Sequence, residues 1–265
     1  MRKGRAEDHL QLPMSIIGFY RRKSFFHKTR NVPEKYYEWN PILRKADKPM
    51  TSFSKCGKYS QGVKIKIPKY DATNSKQLTE AEIHGRKETM RVLDYYQRKR
   101  RKRWELDHFS PIIGIREGAR VVGEYCLTVE DCRNGKRFED AIAVGHYPLD
   151  AHDPGDNKRT YILAKNELRV PPYDIPFRSL IPNGINNLLV AGRNLSADQL
   201  ALSSARVMTT CCAMGQSVAL GIELCLKKSI SPLKLAINNP SDLKKEVENF
   251  GICLDHKLYF PKQLK

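Results

Sequence analysis

Residues 187–228 read NLLVAGRNLSADQLALSSARVMTTCCAMGQSVALGIELCLKK and contain, in succession, a strand pattern, a glycine turn and a helix pattern. The apolar run at residues 188–191 predicts a short strand, and Gly192 with Arg193 predicts a turn after it. Residues 203–226 predict a long helix. The first-turn N–H groups of a helix lack intrahelical partners, and the helix dipole adds partial positive charge there. This order of elements is therefore typical of a site for a phosphate or an electron-rich carbonyl.

The predicted helix is apolar or small on nearly every side, which predicts that it is buried. Gly215 and Gly221 each cost about 1 kcal/mol relative to alanine inside a helix, so they indicate close approach by another backbone or by a flat ligand. Tight core packing without a ligand explains these glycines equally well. Cys211 and Cys212 diverge by about 100° around a helix, which disfavours a disulfide between them and favours small buried thiols.

The charge of the chain is concentrated in its N-terminal part. The net charge is +18 over 265 residues, and residues 1–110 contribute 27 Lys and Arg against 12 Asp and Glu. Such an excess permits binding to nucleic acid or to an anionic surface. The run RKRRKR at residues 98–103 is either a nucleic-acid patch or a solvated helix end, and the lack of interleaved aromatic residues favours the helix end. Nucleic acid is therefore the weaker alternative among the partners.

The seven cysteines form no C-x-x-C pair, which argues against a disulfide framework, a zinc site or an iron–sulfur site. No metal is therefore predicted. The sequence shows no secretory signal, and no segment is judged apolar over a length that would span a bilayer. With seven thiols and no export signal, we expect a cytoplasmic protein without a membrane partner.

Regular elements are also predicted upstream of residue 187. The patterns at residues 14–20 and 63–67 predict strands. Thr79 and Glu82 have the spacing of a capping box, and the apolar residues after them recur with helical periodicity, so an amphipathic helix is predicted over residues 79–103.

Two further stretches hold convergent polar side chains, and these are the candidates for chemistry outside the glycine turn. The first contains Arg116, and the second contains Tyr147, Asp150 and His152. Histidine and aspartate together can transfer protons. The same carboxylates can instead fix turns beside Pro148, and the residues alone leave both readings open.

The chain carries a set of motifs in a fixed order: GIRE at 114–117, VGEY at 122–125, RFEDAIA at 137–143, YP at 147–148, HDP at 152–154, YDIPFRSLIP at 173–182, NLLVAGR at 187–193, RVMTTC at 206–211 and GQ at 215–216. Together these motifs resemble the FAD-dependent oxidoreductases grouped with the heterodisulfide reductase A-like flavoproteins. A weaker likeness extends towards the N-terminus, so the resemblance covers most of the chain.

The resemblance implies an α/β fold, with an α+β arrangement in the covering domain. Specifically, it implies a partial FAD domain of the two-dinucleotide-binding type with an inserted flavin-covering or substrate domain. Residues 1–179 would form the partial covering domain, and residues 180–265 would form the C-terminal part of the FAD-binding domain.

The resemblance also implies a function, which is hydride transfer to or from FAD with a small-molecule substrate. The helix from Arg206 would point its N-terminus at the pyrimidine edge of the flavin and stabilise the negative charge of the reduced ring. The catalytic residues stay unknown, with His152, Asp150, Tyr147 and Arg116 as weaker candidates on the substrate side. The residues that would bind the cofactor are Gly192, Arg193, Arg206, Val207, Met208 and Thr209.

The sequence departs from the family pattern at several places. The G-x-G-x-x-G unit that grips the FAD pyrophosphate does not occur in residues 1–265, so the chain resembles the C-terminal portion of the family protein. A partner chain could supply this phosphate-binding unit. Asn194 stands where relatives commonly have cysteine, and Asp198 with Gln199 replaces a usual Thr-His pair. Two alternatives therefore stay open: a non-catalytic remnant or one part of a split enzyme, and a basic nucleic-acid-binding module.

Overall fold

The computed structural model describes residues 11–22, 51–56, 60–100, 104–155 and 161–259. These residues form a mixture of helices and strands, consistent with the α/β expectation. The chain divides into two compact units. Of the described residues, those from 11 to 118 together with 152–155, 161 and 162 form the sheet unit, and residues 119–151 and 163–259 form the helical unit. The domain boundary predicted between residues 179 and 180 lies inside the helical unit and stays a prediction.

The sheet unit contains four antiparallel strands in the order β2-β3-β1-β4 with one long helix, α1, packed on them. Ile16 pairs with Ile65, and both side chains are fully buried in the core of this unit with Val92 of α1. The two predicted strands are therefore confirmed, and each is longer than its apolar pattern. The elements are β1 (Met14–Arg22), β2 (Thr51–Lys55), β3 (Ser60–Ile67), α1 (Ser75–Arg100) and β4 (Trp104–Phe109).

Helix α1 begins at Ser75, one turn before the predicted start. The Asn74 side chain accepts a backbone N–H of the first turn at 3.1 Å, which is the usual arrangement of an N-cap. Thr79 lies inside the helix, where its hydroxyl donates to the Ser75 carbonyl at 3.0 Å. The Glu82 carboxylate instead accepts from the Ile113 N–H at 2.6 Å. The predicted capping box is wrong because Asn74 caps the helix first.

The basic run at the end of α1 is only partly within the described residues. Arg98 pairs with Asp94 at 2.6 Å, and the side chains are 78% and 50% exposed. This arrangement agrees with the reading of a solvated helix end. Residues 101–103 of the run lie outside the described part of the chain.

The helical unit is built from short elements around one long helix, α4. Strands β5 and β6 pair antiparallel, and α4 packs against β5, α5 and α6. The core of this unit is formed by fully buried side chains that include Ile142, Phe177 and Leu202. The elements are α2 (Val129–Arg133), β5 (Ala141–Gly145), β6 (Tyr173–Pro176), α3 (Gln199–Ala205), α4 (Met208–Lys228), α5 (Pro232–Asn238) and α6 (Pro240–Asn249).

Two predictions for residues 187–228 are wrong. Residues 188–191 form no strand: Val190 donates to the Leu180 carbonyl at 2.9 Å, but no described strand pairs along the run. An extended run becomes a strand when a neighbour takes up its backbone groups. The predicted helix over residues 203–226 is two helices, because the chain leaves helical geometry at Val207 with φ −76° and ψ 151°.

Helix α4 is also less buried than predicted. One stripe of five residues faces the core, whereas Met208 is 85% exposed and Leu226 is 75% exposed. Among the described helices, α4 is long and apolar enough to cross a membrane by length and composition, so the prediction that no segment meets this measure is wrong. The core helix of a soluble protein passes the same test. The buried residues of the stripe are Thr210, Met214, Ser217, Gly221 and Cys225.

The two glycines of α4 have different surroundings. A Cβ added at Gly221 would lie 2.7 Å from Cζ of Phe177, a fully buried ring, so this glycine allows close packing by a side chain. A Cβ added at Gly215 would meet no described atom within 4 Å. Core packing therefore accounts for Gly221, and Gly215 lies on the exposed side of the helix.

Candidate functional site

The predicted glycine turn is present and lies against the beginning of α4. Gly192 has φ +95°, in the left-handed region that favours glycine. The turn is closed by a hydrogen bond from the Leu195 N–H to the Gly192 carbonyl at 3.2 Å. A Cβ added at Gly192 would lie 4.0 Å from Sγ of Cys211, which is in the first turn of α4. The structure therefore brings the turn and the helix N-terminus together, as the sequence predicts.

The N-terminus of α4 carries no side-chain cap. Val207 occupies the N-cap position, and its side chain accepts no hydrogen bond from the first turn. The first turn contains no acidic residue, and Met208 and Thr209 are exposed. The N–H groups at the start of the helix have no intrahelical acceptor, so they and the helix dipole give this end partial positive charge.

Two arginine side chains add formal positive charge beside this helix end. Burial raises the pKa of the Cys211 thiol, while the charges of Arg193 and Arg206 act on that pKa in the opposite direction. Both guanidinium groups are therefore close enough to Cys211 for their charges to lower the pKa of its thiol. The first turn of α4, the glycine turn and the two arginines together form a site suited to a negatively charged or electron-rich group.

The loop at residues 146–150 lies against the residues that lead into α4. The Arg206 side chain is 7% exposed, and its Nη2 donates to the Asp150 carbonyl at 2.9 Å and to the Asp150 carboxylate at 3.4 Å. The Ser204 hydroxyl donates to the Tyr147 carbonyl. Of the predicted substrate-side residues, the structure therefore places Tyr147 and Asp150 beside Arg206.

The other two substrate-side candidates belong to the sheet unit. The His152 ring is 5% exposed and packs against the Tyr161 ring, with the ring centroids 5.1 Å apart. Nε of Arg116 donates to the Pro13 carbonyl at 2.8 Å. Both residues therefore have structural contacts within their own unit, and their roles in catalysis stay predictions.

A buried polar chain behind the loop was not identified as part of the site from the sequence. The hydroxyl of Tyr173, which is fully buried, donates to Oγ of Ser204 at 2.7 Å. Burial raises the pKa of Tyr173 well above its ordinary value, and the negative charge of an ionised Cys132 would raise it further. Tyr173 therefore stays protonated and serves as a donor. A Tyr and a Ser that are 31 residues apart give no spacing signal, so only the fold shows the connection.

The chain matches a known protein family. The family described as FAD dependent oxidoreductase has a model that matches residues 12–247 of this chain. Comparison with curated proteins found no match, and comparison with solved structures found none either. Within the described residues, no group of three or more His, Cys, Asp or Glu side chains could hold a metal ion.

Proposed function

The chain belongs to the FAD-dependent oxidoreductase family, and from this premise we propose that the start of α4 and the Gly192–Arg193 turn hold the flavin end of FAD. FAD is the cofactor of this family, and its members are oxidoreductases. The observation that carries the proposal is the uncapped N-terminus of α4 beside a left-handed glycine and two arginine charges. Bound FAD would supply the two-electron chemistry of the reaction.

The residues at this site fit the electron-rich edge of a flavin. Gly192 has no side chain to obstruct a flat ring, and Arg193 lies on the same turn. Val207, Met208 and Thr209 offer the N–H groups of an uncapped helix start, and Arg206 contributes its charge. This environment stabilises negative charge, which makes reduction of a bound flavin easier.

Bound FAD would also need a site for its pyrophosphate. No G-x-G-x-x-G unit occurs in residues 1–265. We infer that polypeptide outside these residues, in the same chain or in a partner chain, contributes that unit. The likeness to heterodisulfide reductase A-like proteins, the division into a covering domain up to residue 179 and an FAD domain from residue 180, the small-molecule substrate and the cytoplasmic location belong to the same proposal.

An added negative charge at the helix start tests the flavin site. Thr209 is exposed in the first turn of α4, so Thr209→Glu adds a negative charge there with little effect on packing. We expect this variant to weaken FAD binding at least about tenfold in a fluorescence titration, because the added carboxylate offsets the partial positive charge of the helix start and repels the electron-rich flavin edge.

Gln216→Glu is the matched control. Gln216 lies on the same helix, two turns further along, and the substitution adds the same charge. We expect its dissociation constant for FAD to stay within about twofold of that of the wild type, because the dipole effect is confined to the first turn. Equal weakening by both variants, or saturable binding that neither variant affects, would contradict the assigned site.

A second candidate, one part of a split enzyme, is favoured by the apolar surface along α4. Ile222 and Leu226 are exposed on this helix, and Leu188 is exposed on the neighbouring run. They line an open groove of about 700 Å³ together with Leu189 and Ile230. Large exposed apolar patches are typical of surfaces that other polypeptides cover.

Dye binding tests the second candidate. We expect a hydrophobic fluorescent dye to bind the wild-type chain and to bind Leu226→Glu at least about twofold less, because the charge interrupts the apolar groove. Leu258→Glu is the control, since Leu258 is 73% exposed but does not line this groove. Equal dye binding by the wild type and Leu226→Glu would count against a docking surface at the groove.

A further inference from the structure

The loop at residues 146–150 is held by two side chains from one short segment, residues 204–206. Ser204 is in the last turn of α3, and its hydroxyl donates to the Tyr147 carbonyl. Arg206 is the C-cap residue of α3, and its Nη2 donates to the carbonyl and the carboxylate of Asp150. We call these four residues the loop clamp. The clamp ends one residue before the N-cap of α4.

The side chain of Arg206 is buried and contacts the loop at Asp150. It is 7% exposed, whereas its partner Asp150 is 27% exposed, and the guanidinium Nη2 is directed at the loop. Hydrogen bonds from a charged donor are stronger than neutral ones, and they hold a loop best where water is excluded. An arginine that is buried and hydrogen-bonded in this way fixes the backbone that it contacts.

We propose that Arg206 is a positioning residue, which holds the loop at Asp150 beside the start of α4, and that its guanidinium acts on the flavin as a nearby charge and not by direct contact. Tyr147, which is 45% exposed on this loop, is then the side chain whose place the clamp determines. The importance of this loop for the cofactor rests on the function proposed above. The clamp itself is a property of the protein without FAD.

Hydrogen exchange of the FAD-free protein tests the clamp. The Leu149 N–H donates to the Leu168 carbonyl at 2.7 Å, so its exchange reports on whether the loop stays in place. We expect Arg206→Met to increase the exchange rate of this amide at least about tenfold. Asp150→Asn removes the carboxylate charge but keeps the backbone carbonyl that Arg206 contacts, so it should increase the rate less. The double variant should be no faster than Arg206→Met, because the loss of Arg206 already removes both contacts with Asp150.

Two controls separate the clamp from a general loss of stability. Exchange at Ala143 in β5 should stay within about twofold, since a loop opening leaves the strand intact. Arg133→Met removes the same type of side chain from a more exposed ion pair, with Glu130 at 2.9 Å on α2, and should leave the Leu149 amide unchanged. If Arg206→Met unfolds the chain, Arg206→Lys keeps the charge and a donor and should give an intermediate rate. Unchanged exchange at Leu149 in folded Arg206→Met would overturn the proposal.

FAD titration of the same variants distinguishes positioning from direct contact. If Arg206 positions the loop at Asp150, then Arg206→Met weakens FAD binding more than Asp150→Asn, and the double variant weakens it no more than Arg206→Met. Weaker FAD binding in Arg206→Met together with unchanged exchange at Leu149 would overturn the positioning role. If the wild type itself binds no FAD, the proposed function fails, and the exchange rates still decide the clamp.

Discussion

The two glycines of α4 have different surroundings, so we expect replacement by alanine to stabilise the protein at Gly215 and to destabilise it at Gly221. Gly215→Ala places a methyl group where no described atom lies within 4 Å. Replacing glycine by alanine inside a helix stabilises it by about 1 kcal/mol, so this variant should raise the free energy of unfolding by about that amount. Gly221→Ala gains the same helix propensity, but its methyl group would lie 2.7 Å from Cζ and 3.1 Å from Cε2 of Phe177.

The ring of Phe177 is fully buried, so it has no open space into which it can turn. Overpacking of this kind costs about 1–3 kcal/mol, which offsets or exceeds the gain in propensity. We therefore expect Gly221→Ala to lower the free energy of unfolding by up to about 2 kcal/mol, and the two variants to differ by about 1–3 kcal/mol. Urea unfolding of the full chain, followed by circular dichroism, measures both. Equal stabilisation by the two variants would refute the close packing of α4 on Phe177.

Three further predictions concern the buried polar groups of the helical unit. Burial favours a raised pKa for Asp131, but hydrogen bonds from neighbouring groups lower that pKa below its ordinary value. The contribution of the ionised Asp131 to stability is therefore present above about pH 4 and lost as the pH falls. Asp131→Asn should flatten the acid side of a stability curve measured from about pH 6 to about pH 2. Asp140 is 1% exposed and accepts two hydrogen bonds from the Arg178 guanidinium, at 3.0 and 3.1 Å. Asp140→Asn should therefore lower the free energy of unfolding, measured by urea denaturation, by about 3 kcal/mol. A loss below about 0.5 kcal/mol would contradict this. Burial raises the pKa of Cys132 far above its ordinary range, whereas Cys212 is exposed. Iodoacetamide should therefore label Cys212 and leave Cys132 unmodified in the folded protein, which peptide mass spectrometry would measure.

The elements that the sequence predicts well are those whose pattern depends on local contacts. Alternating apolar residues at 63–67 identify β3, because one face of the strand meets the core of its own unit. The predicted start of α1 is one turn late because two capping signals compete, and Asn74 caps the helix before Thr79. A capping box that does form, at Thr128 and Asp131, introduces a helix of five residues, too short for its periodicity to be recognised.

The candidate site could be predicted in its backbone parts and not in its side-chain connections. A glycine turn followed by a helix is visible in the sequence, and the structure places Gly192 against Cys211. The pairing of Arg206 with Asp150 spans 56 residues and depends on the break between α3 and α4. A continuous helical pattern hides this break, because Val207 fits the apolar pattern as well in an extended conformation as in a helical one.

The absent strand at residues 188–191 and the exposed apolar residues of α4 have a common cause. Within the described residues, the apolar run at 188–191 has no strand partner, and α4 has apolar residues on its exposed side. Both sequence patterns are typical of segments that a neighbouring element covers. They are also adjacent, since Leu188 and Leu189 line the same groove as Ile222 and Leu226. A single polypeptide segment that adds a strand at residues 188–191 and covers α4 would satisfy both. The split-enzyme candidate therefore predicts that its partner polypeptide docks at this groove.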